Sequence, residues 1–366
     1  MPVLTQSTAT STNTRLGRRL SPGVAYVLMA SVIGLALFAS GTPSPLYSTY
    51  RELWGFSPLV LTLVYATYAF GVLTSLVLAS RVSDEVGRRP VLLTALGTLM
   101  GVSVIFMLAD SVMWLFIARA LQGLATGLAL GAASAALLDL HPRRDPAGVG
   151  LTNGVVSAGG MGLGVLVSAA LVELLPMPRV LPYIVLFVLF TVTFGGTLLM
   201  PEPVTNRSHL KLTPQWPNVP STTRRAFMLA ALAVISSWSI GGLFLAVGPQ
   251  LFGALFHTND HLVAGTGVFA LTGAGAVGQI VFRSTMPWAG AAGGSLALAV
   301  GLVALVIAAE ADSGALFLAG ALVGGTGFGV AFLGALRVLS AAIPQSTVAR
   351  SCPPSTSSPT RPCRCP

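Results

Sequence analysis

Arg81-Val-Ser-Asp84-Glu-Val-Gly87-Arg88-Arg89-Pro90 is a short charged turn between two apolar runs, 58–80 and 91–109. Each run has roughly the 20 residues that a helix needs to cross a hydrocarbon core about 30 Å thick. An Asp, a Gly three residues on and a pair of Arg between such runs read as a tight turn joining two membrane helices. Outward from this turn, apolar stretches recur at 24–42, 112–137, 147–172, 180–200, 227–250, 263–282, 289–309 and 314–340, giving ten spans. The chain is 54% hydrophobic and 8% charged, where a soluble domain carries about 25% charged residues. The fold class is therefore an all-α integral membrane protein. The ten-residue alternating segments of a membrane barrel are missing, and the many glycines suit helices that pack closely in lipid.

The net charge of +9 does not indicate nucleic acid, because its Arg residues are distributed by side of the membrane. One set of segments holds Arg15, Arg18, Arg19, Arg81, Arg88, Arg89, Arg143, Arg144, Arg207, Lys211, Arg224, Arg225 and Arg283; the alternate loops hold Arg51 and Arg179. By the positive-inside rule the N-terminus faces the cytoplasm. The expected organisation is a cytoplasmic tail (1–23), a six-span half (24–200), a Pro-rich cytoplasmic linker (201–226), a four-span half (227–341) and a Pro/Ser/Cys-rich tail (342–366). Cys352, Cys363 and Cys365 all lie in that last segment, so no disulfide framework or metal site is expected.

A second motif, Arg119-Ala-Leu-Gln122-Gly123, lies inside the fourth span. The charged turn resembles the signature loop between helices two and three of the major facilitator superfamily of secondary transporters, with Ser80 where that pattern opens on Gly. The fourth-span motif resembles the same family's Arg-x-x-Gln-Gly. The resemblance implies six plus six helices around a central cavity lined by helices one, four, seven and ten. It also implies that the signature loop (Asp84, Gly87, Arg88, Arg89) is a conformational latch, with the Asp facing the start of helix eleven. This chain stops after what would be helix ten. The expectation is a reading-frame shift near residues 345–351 that removed helices eleven and twelve; the alternative is a natural disordered tail on a ten-helix protein.

Other patterns carry less. Gly273-Ala-Gly275-Ala-Val-Gly278 matches a dinucleotide fingerprint but sits inside an apolar span with no preceding strand. The sole Lys, Lys211, has no P-loop context, so no nucleotide and no cofactor is expected. His257 and His261 flank Asp260 in an external loop read as solvated, and Asp110 reads as the cap of the fourth span. The fifth span has Gly159-Gly160-Met161-Gly162-Leu163-Gly164 but lacks the Pro of the family's antiporter pattern. Gly123, Gly127, Gly160 and Gly164 are the expected helix-packing positions.

Charge at membrane depth is costly and points to use. Arg119 is the deepest such residue, with a bonding role beside Gln122 and a role in proton or substrate handling both open. The candidate pathway residues are Thr42, Arg119, Gln122, Ser237, Trp238 and Phe328. The expected function is movement of a small amphipathic solute, outward, across a cytoplasmic membrane by alternating access, with coupling to protons left open. The alternative is a truncated membrane protein inactive in transport. Neither paired carboxylates nor a nucleophile constellation marks an enzyme. The partners are the solute and membrane lipids, with no nucleic acid.

Overall fold

The computed structural model describes residues 20–79, 85–200, 202, 224–258 and 260–342. Asp84, most of the 201–223 linker and the 343–366 tail lie outside these. The described elements are helices: α1 (Pro22–Gly41), α2 (Leu46–Trp54), α3 (Pro58–Ala79), α4 (Arg88–Leu108), α5 (Val112–Leu140), α6 (Pro146–Leu174), α7 (Leu181–Leu198), α8 (Arg224–Leu255), α9 (His261–Val281), α10 (Pro287–Glu310) and α11 (Gly314–Ala342). Among the described residues ten spans are long and apolar enough to cross a membrane, α1 and α2 together forming the first, Pro22–Trp54. That first span is the main departure from expectation. It runs on past residue 42 through a turn at Thr42–Pro45 and carries Arg51 on helix rather than loop.

The helix starts follow local chemistry. Ser21 accepts from the Val24 amide ahead of Pro22, and Asp145 and Asp260 accept from the first amides of α6 and α9. These are side-chain oxygens filling the orphan donors of a first turn. Asp110 does not cap the fourth span. Ser111 holds that position, one residue nearer the helix, and its side chain makes no capping bond.

Small residues set the helix separations. In α6, a Cβ at Gly160 or Gly164 would land on the carbonyls of Gly34 and Phe38 in α1. In α5, Gly123 and Gly127 meet the Tyr68 and Val72 carbonyls of α3 in the same way. Such contact of backbone on backbone is what holds helices together where lipid removes the hydrophobic drive between them. Leu59, Leu63, Phe70 and Leu73 of α3, and Val300, Val303 and Val306 of α10, point outward as apolar surface.

Successive spans alternate in direction, which gives the bundle two ends. The near end holds the start of α1 and the α3–α4, α5–α6 and α9–α10 connections. The far end holds the α2–α3, α4–α5, α6–α7, α8–α9 and α10–α11 connections. The first half (α1–α7) meets the second (α8–α11) mainly where α6 packs against α9, with further contact between α6 and α11 and between α3 and α8.

Candidate functional site

The turn in the first span explains a buried polar cluster. In an unbroken helix the carbonyl of Ala39 would accept from the amide of residue 43, but residue 43 is proline and has no N–H. The Ser44 amide turns to the Gly41 carbonyl at 2.9 Å and the Leu46 amide to the Pro43 carbonyl at 3.1 Å. The carbonyls of Ala39, Ser40 and Thr42 are thereby freed in the interior. Side chains take all three: Gln122 Nε2 donates to Ala39 at 2.9 Å, Arg119 Nη1 to Ser40 at 3.1 Å, and Ser168 Oγ to Thr42 at 2.6 Å.

Arg119 is fully buried. Its Nη1 also donates to Gln122 Oε1 at 2.8 Å and its Nε to the Tyr47 hydroxyl at 2.6 Å. No carboxylate among the described residues pairs with it. The rings of Tyr47, Tyr65 and Tyr68 lie 5.1–5.4 Å from the guanidinium carbon instead. A cation over a desolvated aromatic face gains about 2 kcal/mol or more, and here three faces share one cation. Carbonyl dipoles and ring faces thus replace a counter-ion. Sequence reading found Arg119 and Gln122 but missed the tyrosines. Tyr65 and Tyr68 share one face of α3, a spacing that could have flagged them, but nothing in sequence says that this face meets α5.

A second proline completes the arrangement. Pro249 inside α8 leaves the Leu245 carbonyl without its helical donor. Two residues of the first half supply replacements: Ser44 Oγ at 2.5 Å and Tyr65 Oη at 2.8 Å. The proline break of the first span is therefore bonded directly to the proline site of α8 in the other half. Beside it, toward the far end, lies a cavity of about 570 Å³ lined from both halves by Ser44, Ser48, Glu52, Gln250, His257 and His261. Arg51 of the first half donates to Gln250, one of the lining residues, at 3.2 Å.

Five of the six pathway candidates fall into two groups. Thr42, Arg119 and Gln122 belong to the break, where the Thr42 hydroxyl donates to the Phe38 carbonyl at 2.9 Å. Trp238 and Phe328 meet edge to face at 6.3 Å within the second half, joined by Phe332. Ser237 is fully buried with its hydroxyl on the Ala233 carbonyl, and none of the six candidates lines the far-end cavity.

The two histidines differ from each other. His257 is exposed and lies 3.6 Å from Asp312. His261 is the first residue of α9; its Nδ1 lies 3.0 Å from Glu173 of α6 and its Nε2 3.5 Å from the Ser48 hydroxyl, which joins the halves at the far end. It is not a solvated loop residue. No group of three or more potential metal ligands occurs among the described residues.

The described part of the signature loop contacts its own half. Gly87 has φ 112°, and the Glu202 carboxylate, just past α7, accepts from the Arg88 and Arg89 amides at 2.9 and 3.1 Å. Arg88 Nε reaches Asp139 of α5 at 3.3 Å, and Arg89 donates to the Leu198 carbonyl at the end of α7. Asp84, the expected reach toward a further helix, lies outside the described residues. The equivalent turn of the second half, Arg283–Pro287, is braced by Arg337 of α11, which donates to the Arg283 and Thr285 carbonyls at 2.8 Å.

Comparison with known proteins adds the family. The family model of the Major Facilitator Superfamily matches residues 29–351. Among 206 solved chains that match is the crystal structure of the human organic anion transporter MFSD10 (TETRAN), 18% identical, with a TM-score of 0.59 over 88% of this chain and 91% of that one. No curated protein matches the chain significantly.

Proposed function

This chain belongs to the Major Facilitator Superfamily, whose members carry solutes across membranes, and from that premise we infer that it exports a small amphipathic solute by alternating access. We place it in the cytoplasmic membrane of a bacterial cell, and the Arg distribution of its connections supports an N-terminus and a near end that face inside.

One observation supports this reading above the others: the break of the first span and Pro249 of α8 meet across the interface between the halves, beside the far-end cavity. Helices broken at the interface between repeats, with freed backbone groups at the site, are how carriers of this kind build a midplane binding region. The cavity falls within the roughly 300–1,000 Å³ of small-molecule sites. The bonds on the Leu245 carbonyl are weak enough to exchange for water, each contributing about 0.5–1.5 kcal/mol, so the two halves can part there without a large penalty. Arg119 keeps the first-span side of the break in one shape while the halves move. Proton coupling would run through titratable groups that bridge the halves, and His261 with Glu173 is such a pair.

The test is reconstitution. Vesicles containing the protein and loaded with a panel of amphipathic dyes should lose at least one dye faster than protein-free vesicles, and the Arg119→Ala chain should fall to the protein-free rate. A transmembrane pH gradient should alter the rate if protons are coupled. Equal loss for every dye from vesicles with and without the protein would overturn export and leave a transport-inactive membrane protein.

A further inference from the structure

Gln279 stands near the near-end terminus of α9 with 1% of its surface exposed. Neither its Oε1 nor its Nε2 has a hydrogen-bond partner among the described residues. Other carboxamides are satisfied: the buried Gln122 uses both ends on Arg119 and Ala39, and the half-buried Asn153 donates to Ser134 at 2.7 Å and accepts from Ser157 at 3.2 Å. An orphaned donor and acceptor side by side in the interior are destabilising unless something answers them.

What surrounds Gln279 defines what could answer. It opens on a small space of about 10 Å³ shared with Gly154, Ser157, Met161, Trp238, Phe328 and Phe332. None of these carries charge, so an ion entering here would meet no counter-charge at the cost that interior charge always carries. Trp238 holds Phe328 and Phe332 edge to face at 6.3 and 5.9 Å, an aromatic wall suited to a flat ring. On the opposite side α6 presents Gly154, where any Cβ would fall on the Gln279 carboxamide oxygen. The amide is thus pressed between the two halves, with only enough free volume for about one water.

We propose that Gln279, with the Trp238–Phe328–Phe332 wall, forms a solute subsite that takes a neutral, flat aromatic compound bearing a carboxamide or an equivalent adjacent donor and acceptor. This rests on the transport reading and specifies its substrate class. In the arrangement seen here the subsite is collapsed. Parting of α6 from α9, which alternating access requires, makes room for the ring and lets the solute's amide pair with Oε1 and Nε2 together.

Binding separates this proposal from transport itself. Radiolabelled benzamide should bind the purified full chain in detergent, and benzoate, of the same shape but with no donor and a negative charge, should compete at least about tenfold less well. Gln279→Leu keeps the volume and removes the orphaned pair, so it should weaken benzamide binding at least about tenfold while raising the melting temperature. Gly154→Ala keeps the amide but displaces it, and should weaken benzamide binding even if the Leu chain fails to fold. Benzamide discrimination without dye export would overturn the transport reading and leave the subsite standing. No benzamide binding by the parent chain, tighter binding of benzoate, or unchanged binding in both variants would overturn the subsite and leave a glutamine whose partner is a buried water.

Discussion

At position 43 a proline withholds one amide, and the consequences reach residues about eighty positions away. The Ala39 carbonyl it strands is filled by Gln122, the neighbouring Ser40 carbonyl by Arg119, and the guanidinium so placed is enclosed by three tyrosine rings. On this account Gln122 contributes because Pro43 is proline. Gln122→Leu should cost about 1–3 kcal/mol, the penalty of an unfilled interior acceptor. In a Pro43→Ala background, where an amide at 43 can turn back to Ala39, the same change should cost about 1 kcal/mol less. A double-mutant cycle on unfolding in detergent measures the difference; equal costs in both backgrounds would break the link between the two residues. The stranded carbonyls could be deduced from the prolines at 43 and 249, because a helix pairs each carbonyl with the amide four residues on. Which side chains fill them could not, since Gln122 and Tyr65 arrive from helices whose placement is a tertiary matter.

Helix α4 shows the same division between what is local and what is not. Its start was legible from the turn at 81–90, and Gly87 adopts a backbone conformation that other residues rarely take. Glu202 falls in the Pro-rich 201–226 linker of the sequence, yet it is also the cap of α4, reaching amides more than a hundred residues earlier. A carboxylate at a helix N-terminus gains from both hydrogen bonds and the helix dipole. Glu202→Ala should therefore destabilise by about 0.5–2 kcal/mol, with Glu202→Gln closer to the parent because one acceptor oxygen remains. Gly87→Ala should cost about 1–3 kcal/mol, since it strains the backbone and brings a Cβ within 2.9 Å of the same carboxylate. Thermal unfolding of the three variants gives the ranking, and a neutral Glu202→Ala would remove the cap from the account. Span positions were legible to within a few residues because twenty apolar residues announce themselves. The extension of the first span to Trp54 was not, because α2 is amphipathic and carries Arg51 and Glu52.

Across the whole molecule, two halves meet along α6 and α9 and are bonded at the far end through Ser44, Tyr65, Arg51, Ser48 and Glu173 to Leu245, Gln250 and His261. We propose that these halves rock against each other and that the bonds at the paired proline sites help hold the far end together. Distances between spin labels test it most directly, in a chain whose Cys352, Cys363 and Cys365 are replaced by serine. One pair, at Met177 and Ala311, spans the far end; the other, at Arg144 and Met286, spans the near end. Replacing Ser44 by Ala and Tyr65 by Phe removes both donors to the Leu245 carbonyl. The account predicts that this double change lengthens the Met177–Ala311 distance and shortens the Arg144–Met286 distance in the same sample. Distances that stay fixed at both ends, or lengthen at both, would contradict it.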